Sequence, residues 1–303
     1  MIIAILASMI SFAMSRVQQT ARKASTQALI TKLHTVIARQ WDTYATRRVD
    51  IGSTTGMTQN QIDDAKLAAI RNLMRMELPT RWASDVNSIS GTAALNDAYK
   101  SYYTAAYNNN GKDTENASAE CLYMIVSMIA DDDLDRINLF SESDVGDVDE
   151  DGMNEFVDAW GNPILFIRWP AGFVDDPPNF SSTEPIGHLS DLQQNDPTGS
   201  PDPFDPQGVG TGATGNYAIF PLIFSAGPDK LYDICVNGDN SGVDDPYAGL
   251  QSGTPHDPFD SASKKVIDGA PADQGSNTGA VAGNGTLDHH DNIHNHHLGG
   301  SLR

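Results

Sequence analysis

The chain is poor in cysteine. Cys121 and Cys235 are the only two in 303 residues, too few for a disulfide framework, and their spacing matches no zinc motif. Cys121 lies in the apolar run "CLYMIVSMIA". A buried thiol is the default there, with a Cys121–Cys235 bridge as the alternative in an oxidising compartment. Catalytic signatures are missing too: no G-x-S-x-G, no P-loop, no G-x-G-x-x-G after a strand and no H-E-x-x-H. The common hydrolase, nucleotide-binding and zinc-peptidase chemistries lose their usual marks, so neither a catalytic residue nor a small-molecule substrate is expected.

Positive charge is scarce beyond the first third. The net charge is -21; the first 111 residues carry 12 Lys and Arg against 7 Asp and Glu, and the remainder 7 against 33. An acidic body of this kind repels nucleic acid and attracts divalent cations. Hydrophobic residues at 39%, with 26 Gly and 16 Pro, describe a loop-rich chain that still has a core. Its length suits one large domain or two small ones.

Glycine and proline are absent from residues 16–49. Before them stands "MIIAILASMISFAMSR". Its apolar part spans roughly 21 Å as a helix, less than the roughly 30 Å of a bilayer core. It has no basic leading region and a poor cleavage pattern, so it does not read as a secretory signal. Apolar residues then recur at Ala21, Ala24, Ala28, Leu33, Val36, Ile37, Trp41 and Tyr44, close to helical spacing. The two parts predict one long helix over 1–48, an oily end joined to an amphipathic shaft. That suits an anchor whose lower half packs on a head, with Arg16, Arg22 and Lys23 near a membrane surface or against acidic neighbours. A buried helix that merely opens the domain is the plainer alternative.

"IIAILASMI" followed by a polar helix resembles the N-terminal helix of type IV pilins and type II secretion pseudopilins. "DAWGNPILF" is similar to the Asp-x-Trp-Gly-Asn-Pro segment of major pseudopilins, and "FSAGPDKLYDI" to their later Ser-x-Gly-x-Asp segment. The prepilin-peptidase site of that family, a Gly followed by Phe and a later Glu, has no match, because Met1 already lies in the apolar stretch. Either upstream residues belong to a longer chain or this is a diverged, unprocessed form. The resemblance implies a structural subunit rather than an enzyme. It would sit in the bacterial inner membrane with its head in the periplasm and assemble with other copies or other pseudopilins through the first helix.

Further helices are expected at 58–78, with Thr58 as cap, at 94–107 and at 117–130. A strand is expected from Ile164 to Trp169, and two more in 217–236, joined by "AGPDK" with Pro221 at a strand start or edge. In "WGNP", Gly161 and Asn162 are expected at positive φ, with Trp160 capping the core. Residues 171–216 read as a long surface loop. The parts are therefore an assembly helix (1–48), a helical part of the head (49–140), an antiparallel sheet with an acidic loop and a long insertion (141–236), and a Gly/Asp/His-rich end (237–303). The fold class is α+β, with the long helix packed on a small antiparallel sheet as in pilins.

"DVDEDGMNEFVD" is the main candidate site. A calcium loop needs oxygens at places 1, 3, 5, 7, 9 and 12 and a glycine at 6. These fall on Asp147, Asp149, Asp151, the Met153 carbonyl, Glu155 and Asp158, with Gly152 at the turn. The last place has Asp where Glu is usual, flanking helices are lacking, and a solvated acidic turn is the competing reading. By resemblance to major pseudopilins, Asp229 and Asp233, with Asp239, Asp244 and Asp245, stand near a second calcium loop. The tract "DHHDNIHNHHL" offers His289, His290, His294, His296 and His297. It reads as a surface tail, with transition-metal binding as the alternative. A membrane-tethered secreted hydrolase or calcium-dependent adhesin using the loops of 171–216 is the other functional class.

Overall fold

The structure is a computed structural model that describes residues 2–80, 86, 94–110, 116–131, 139–170, 201–209, 218–230, 232 and 293–297. Helix α1 spans Ile2–Thr43 and tightens into a 3-10 turn at Tyr44–Thr46, as a stretch without glycine or proline allows. Its two halves differ. Thr26, Leu29, Ile30, Leu33, Val36, Ile37, Trp41 and Tyr44 are buried at three- and four-residue intervals, the stripe of a helix packed along one side. Ahead of them Ile3, Ile5, Leu6, Met9, Ile10, Phe12, Met14 and Val17 are all exposed. No helix among the described residues is long and apolar enough to cross a membrane.

Helix α2 (Gln59–Glu77) begins as expected at Thr58. The Thr58 hydroxyl accepts from Gln61 N at 3.4 Å, and the Gln61 side chain accepts from Thr58 N at 2.9 Å. This reciprocal cap contributes about 1 kcal/mol. Helices α3 (Ala94–Asn110) and α4 (Ala117–Asp131) also lie where the apolar spacing puts them. Cys121 of α4 is buried, whereas Cys235 is outside the described residues.

Two small antiparallel sheets complete the fold. Strands β1 (Val145–Gly146) and β2 (Glu155–Phe156) form a hairpin, and β3 (Leu165–Ile167), β4 (Leu222–Ser225) and β5 (Ile293–His294) form a sheet in the order β3-β4-β5. Leu165 pairs with Phe224 and Ile167 with Leu222; Phe224 pairs in turn with His294. The central strand β4 is buried throughout. Helix α1 packs on β4 and β5, and α4 on β2 and β3. The class is α+β.

Three features differ from expectation. The strand expected after "AGPDK" falls, apart from Tyr232, outside the described residues. The third strand of the described sheet comes from the histidine tract, part of which is therefore core rather than surface tail: Ile293, Asn295 and His296 are 4%, 2% and 1% exposed. Asn295 fixes this segment. Its Oδ1 accepts from Ile223 N at 2.8 Å, and its Nδ2 donates to Pro221 O at 2.9 Å and faces His34 Nδ1 at 3.0 Å. Within the supposed surface loop, residues 201–209 are also anchored. The Phe204 ring meets Trp41 edge-on at 5.4 Å, and Arg71 pairs with buried Asp202 at 3.4 Å. The rest of 171–216, apart from these residues, lies outside the described residues. Finally, Gly161 has the expected positive φ of 85°, but Asn162 does not.

Candidate metal centre

The acidic stretch becomes a hairpin loop, not a helix–loop–helix. Strand β1 pairs with β2 through Val145–Phe156 and Gly146–Glu155, so 147–154 must reverse the chain between them. Glu150 and Gly152 supply positive φ values of 59° and 90°, and Gly152 does so at the sixth place, where the calcium-loop frame needs a turn. Backbone donors then wrap onto the acids. Asp147 accepts from Asp151 N on Oδ1 and from Gly152 N on Oδ2, both at 3.0 Å. Asp151 accepts from Met153 N at 2.7 Å, and Glu155 Oε2 from Val148 N at 3.0 Å.

This wrapping concentrates negative charge. Asp147, Asp149 and Glu155 place carboxylate oxygens within 4.8 Å of one another, and so do Glu120, Asp149 and Asp151. Glu120 and Glu155 are fully buried and Asp151 nearly so. Asp149 Oδ1 and Glu155 Oε1 are buried without a hydrogen-bond partner. Burial pushes the Glu155 carboxyl up to about 8, helped by the charges of Asp149, Asp147 and Asp151 and opposed by the Val148 N–H. Asp149 is also raised, first by burial and then by Asp151. Buried like charges at this density bind protons or a cation. Glu120 and Asp151, both buried, and the half-buried Asp149 could hold a metal ion.

Other expected ligands stand elsewhere. Asp158, the twelfth place of the frame, is buried and fully engaged in the turn that follows. Its Oδ1 accepts from Trp160 N and Asn162 N at 2.8 and 2.9 Å. Its Oδ2 accepts from Asn162 Nδ2 at 3.0 Å and from the Ser225 hydroxyl at 2.6 Å. It belongs to neither acidic group among the described residues. Met153 stays in the hairpin loop at the seventh place, where the expected ligand is its carbonyl, while its side chain packs in the core. Asp229 lies exposed in a 3-10 turn, Gly227–Asp229, apart from both groups. Asp233, Asp239, Asp244 and Asp245 are outside the described residues, as are His289 and His290. His294 lies in β5, a strand rather than a helix, and the buried His296 ring donates from Nε2 to Pro221 O at 3.1 Å. Neither joins a metal-binding group among the described residues.

No family model, curated protein or solved structure matches this chain. The site therefore stands on its own geometry. Sequence reading missed Glu120, the one acid in "ASAECLYMIVSMIA". An acid in an otherwise apolar helix must find a counter-charge or a ligand, and that was the available signal.

Proposed function

We propose that this protein is a structural subunit of pilin or pseudopilin type, held in a bacterial envelope and assembled through the first half of α1. The observation that carries this reading is the exposure of that half. Ile3 is 83% exposed, Ile10 67%, Phe12 60% and Val17 67%, and a contiguous apolar surface of this kind marks a contact with lipid or protein. The helix changes character beyond Val17, with Arg16, Arg22 and Lys23 at the boundary. This apolar surface favours packing against sibling helices within or beside the inner membrane, with the acidic head in the periplasm.

The head supports the same reading. The three-stranded sheet packs on the later half of α1, the layout that the resemblance implies. The two segments carrying the resemblance also lock together. Asn162 Nδ2 donates to Gly227 O at 3.0 Å, Ser225 bonds Asp158, and the Tyr232 hydroxyl donates to Pro163 O at 2.6 Å. Such bonds serve a rigid scaffold, not turnover. The ion held by the buried acids is calcium: the donors are hard oxygens, and a flexible multi-carboxylate loop suits calcium better than magnesium, which keeps its waters. Its role is to stiffen the head.

The test compares the full chain with a variant carrying Ile3→Gln, Leu6→Gln, Ile10→Gln and Phe12→Gln together. Analytical ultracentrifugation and flotation with phospholipid vesicles read the outcome. The wild-type protein should self-associate or float, and the variant should be monomeric with an unchanged melting temperature. A wild-type chain that stays monomeric and does not float overturns the reading.

A further inference from the structure

Calcium takes six to eight oxygens, and the hairpin commits several of its own to backbone N–H groups: both oxygens of Asp147, one of Asp151 and one of Glu155. The frame read from sequence would complete the shell with Asp158, which is taken up by its turn. Helix α4 supplies the alternative. Asn116 precedes α4, and its carbonyl accepts from Ala119 N at 2.7 Å and Glu120 N at 3.0 Å. An Asn in this place ordinarily folds its side chain over the first-turn N–H groups. Here the backbone adopts a φ of 60°, a conformation Asn tolerates better than most residues. The amide turns to the hairpin and donates from Nδ2 to Asp149 Oδ2 at 3.3 Å. Asn116 is 3% exposed, yet its Oδ1 has no hydrogen-bond partner, and the same is true of Glu155 Oε1. One helical turn beyond Asn116, on the same side of α4, Glu120 brings an oxygen within 4.8 Å of those of Asp149 and Asp151.

We propose that calcium cross-links α4 to the β1–β2 hairpin, with Glu120 and Asn116 as ligands beside Asp149, Asp151 and Glu155. The proposal rests on calcium being the ion of this cluster. It makes the ion a staple between two parts of the fold rather than the occupant of a self-contained loop. Segment 155–160 is then fixed at both ends, because Ala159 N donates to the Thr26 hydroxyl at 3.1 Å and Trp160 Nε1 to Gln19 Oε1 at 2.9 Å. These contacts grip α1 just where its exposed half leaves the head.

Isothermal titration of the full chain with calcium chloride tests the staple. Glu120→Gln should weaken binding at least about tenfold, since affinity follows the number of charged ligands, and Asn116→Ala should weaken it by a smaller factor. Asp158→Asn should lower the melting temperature but leave the affinity within about twofold, because Asp158 is no ligand. Folding of each variant is checked by melting in EDTA; Glu120→Gln keeps its volume and removes a buried charge, so it should fold. Terbium emission excited through Tyr102, which bonds the Asn154 backbone within the hairpin loop, gives a second readout and should fall with Glu120→Gln. If Glu120→Gln binds as the wild type does while Glu155→Gln does not, the site is confined to the hairpin and the staple is wrong. If the wild-type chain binds no calcium, the staple and the calcium reading fall together.

Discussion

Glu77 at the end of α2 and Glu155 in β2 are both buried carboxylates, yet their surroundings are opposite. Glu77 accepts from Arg47, from the Tyr44 hydroxyl at 3.0 Å and from Gln40 Nε2 at 2.9 Å. Nearby, Tyr99 donates its hydroxyl to the Glu77 carbonyl at 3.0 Å. Glu155 has one backbone donor, and the charges acting on it come from Asp149, Asp147 and Asp151. Among the described residues, the fold supplies a counter-charge for the first acid and none for the second. Burying a carboxylate without compensation costs several kcal/mol, so the second environment makes sense when a cation from outside completes it.

The largest effect should come from spoiling the self-sufficient acid. Glu77→Ala strands the buried Tyr44 hydroxyl and leaves Arg47 without its partner. Breaking a buried pair costs about 3–5 kcal/mol, and the partial exposure of Arg47, 36% at its side chain, places this one at the lower end. At about 2–4 °C per kcal/mol for a chain of this size, a thermal melt should shift down by about 10 °C, with or without calcium. A melt within 2 °C of wild type would mean that the Glu77 network contributes little.

Calcium removal comes next. Ligand at a hundredfold over Kd stabilises by about 2.7 kcal/mol, which is about 5–10 °C. EDTA should lower the melt by that amount, and magnesium should restore only part of it. A melt indifferent to EDTA would leave Glu155 as an acid protonated by its surroundings, and the contrast with Glu77 would concern protons rather than metal.

Glu155→Gln sharpens the comparison through its sign. In EDTA the neutral amide removes the cost of burying, and hence protonating, this carboxyl beside other acids, so the melt should rise by a few degrees, for about 1 kcal/mol. The calcium shift should disappear with it. The same substitution at Glu77 should lower the melt under both conditions. Two Glu→Gln changes with opposite signs in one molecule cannot be explained by burial alone.

How much of this was legible in the sequence differs between the two regions. The long helix follows from a stretch lacking glycine and proline, the start of α2 from Thr58 and Gln61, and the reversal at Gly152 from its spacing within the acids. Each is a local signal. The site's other half was not legible, because Glu120 and Asn116 reach Asp149 only after α4 docks on β2 and β3. Asp158 sits at the right spacing for a ligand but is taken up by its own turn through Trp160 and Asn162 and by Ser225 of β4, a contact distant in sequence. Strand β5 is two residues long and is positioned by the hydrogen bonds of Asn295 rather than by an alternating apolar pattern, so no periodicity announced it.

The smallest effect tests a polar contact whose charge can be switched. His34 of α1 is partly buried, and burial holds its pKa below the ordinary 6.5, with Asp42 opposing. Its Nδ1 accepts from Asn295 Nδ2, which requires the neutral ring. The folded state therefore binds a proton at His34 less tightly than the unfolded chain does. The stability this confers is full above pH 6.5 and declines as pH falls below it. Melts between pH 7.5 and 5, in saturating calcium so that the loop acids stay ionised, should show that decline. His34→Gln keeps an acceptor for Asn295 but cannot titrate, so its decline should be shallower. Equal slopes in the two proteins would remove His34 as the group that senses docking of β5.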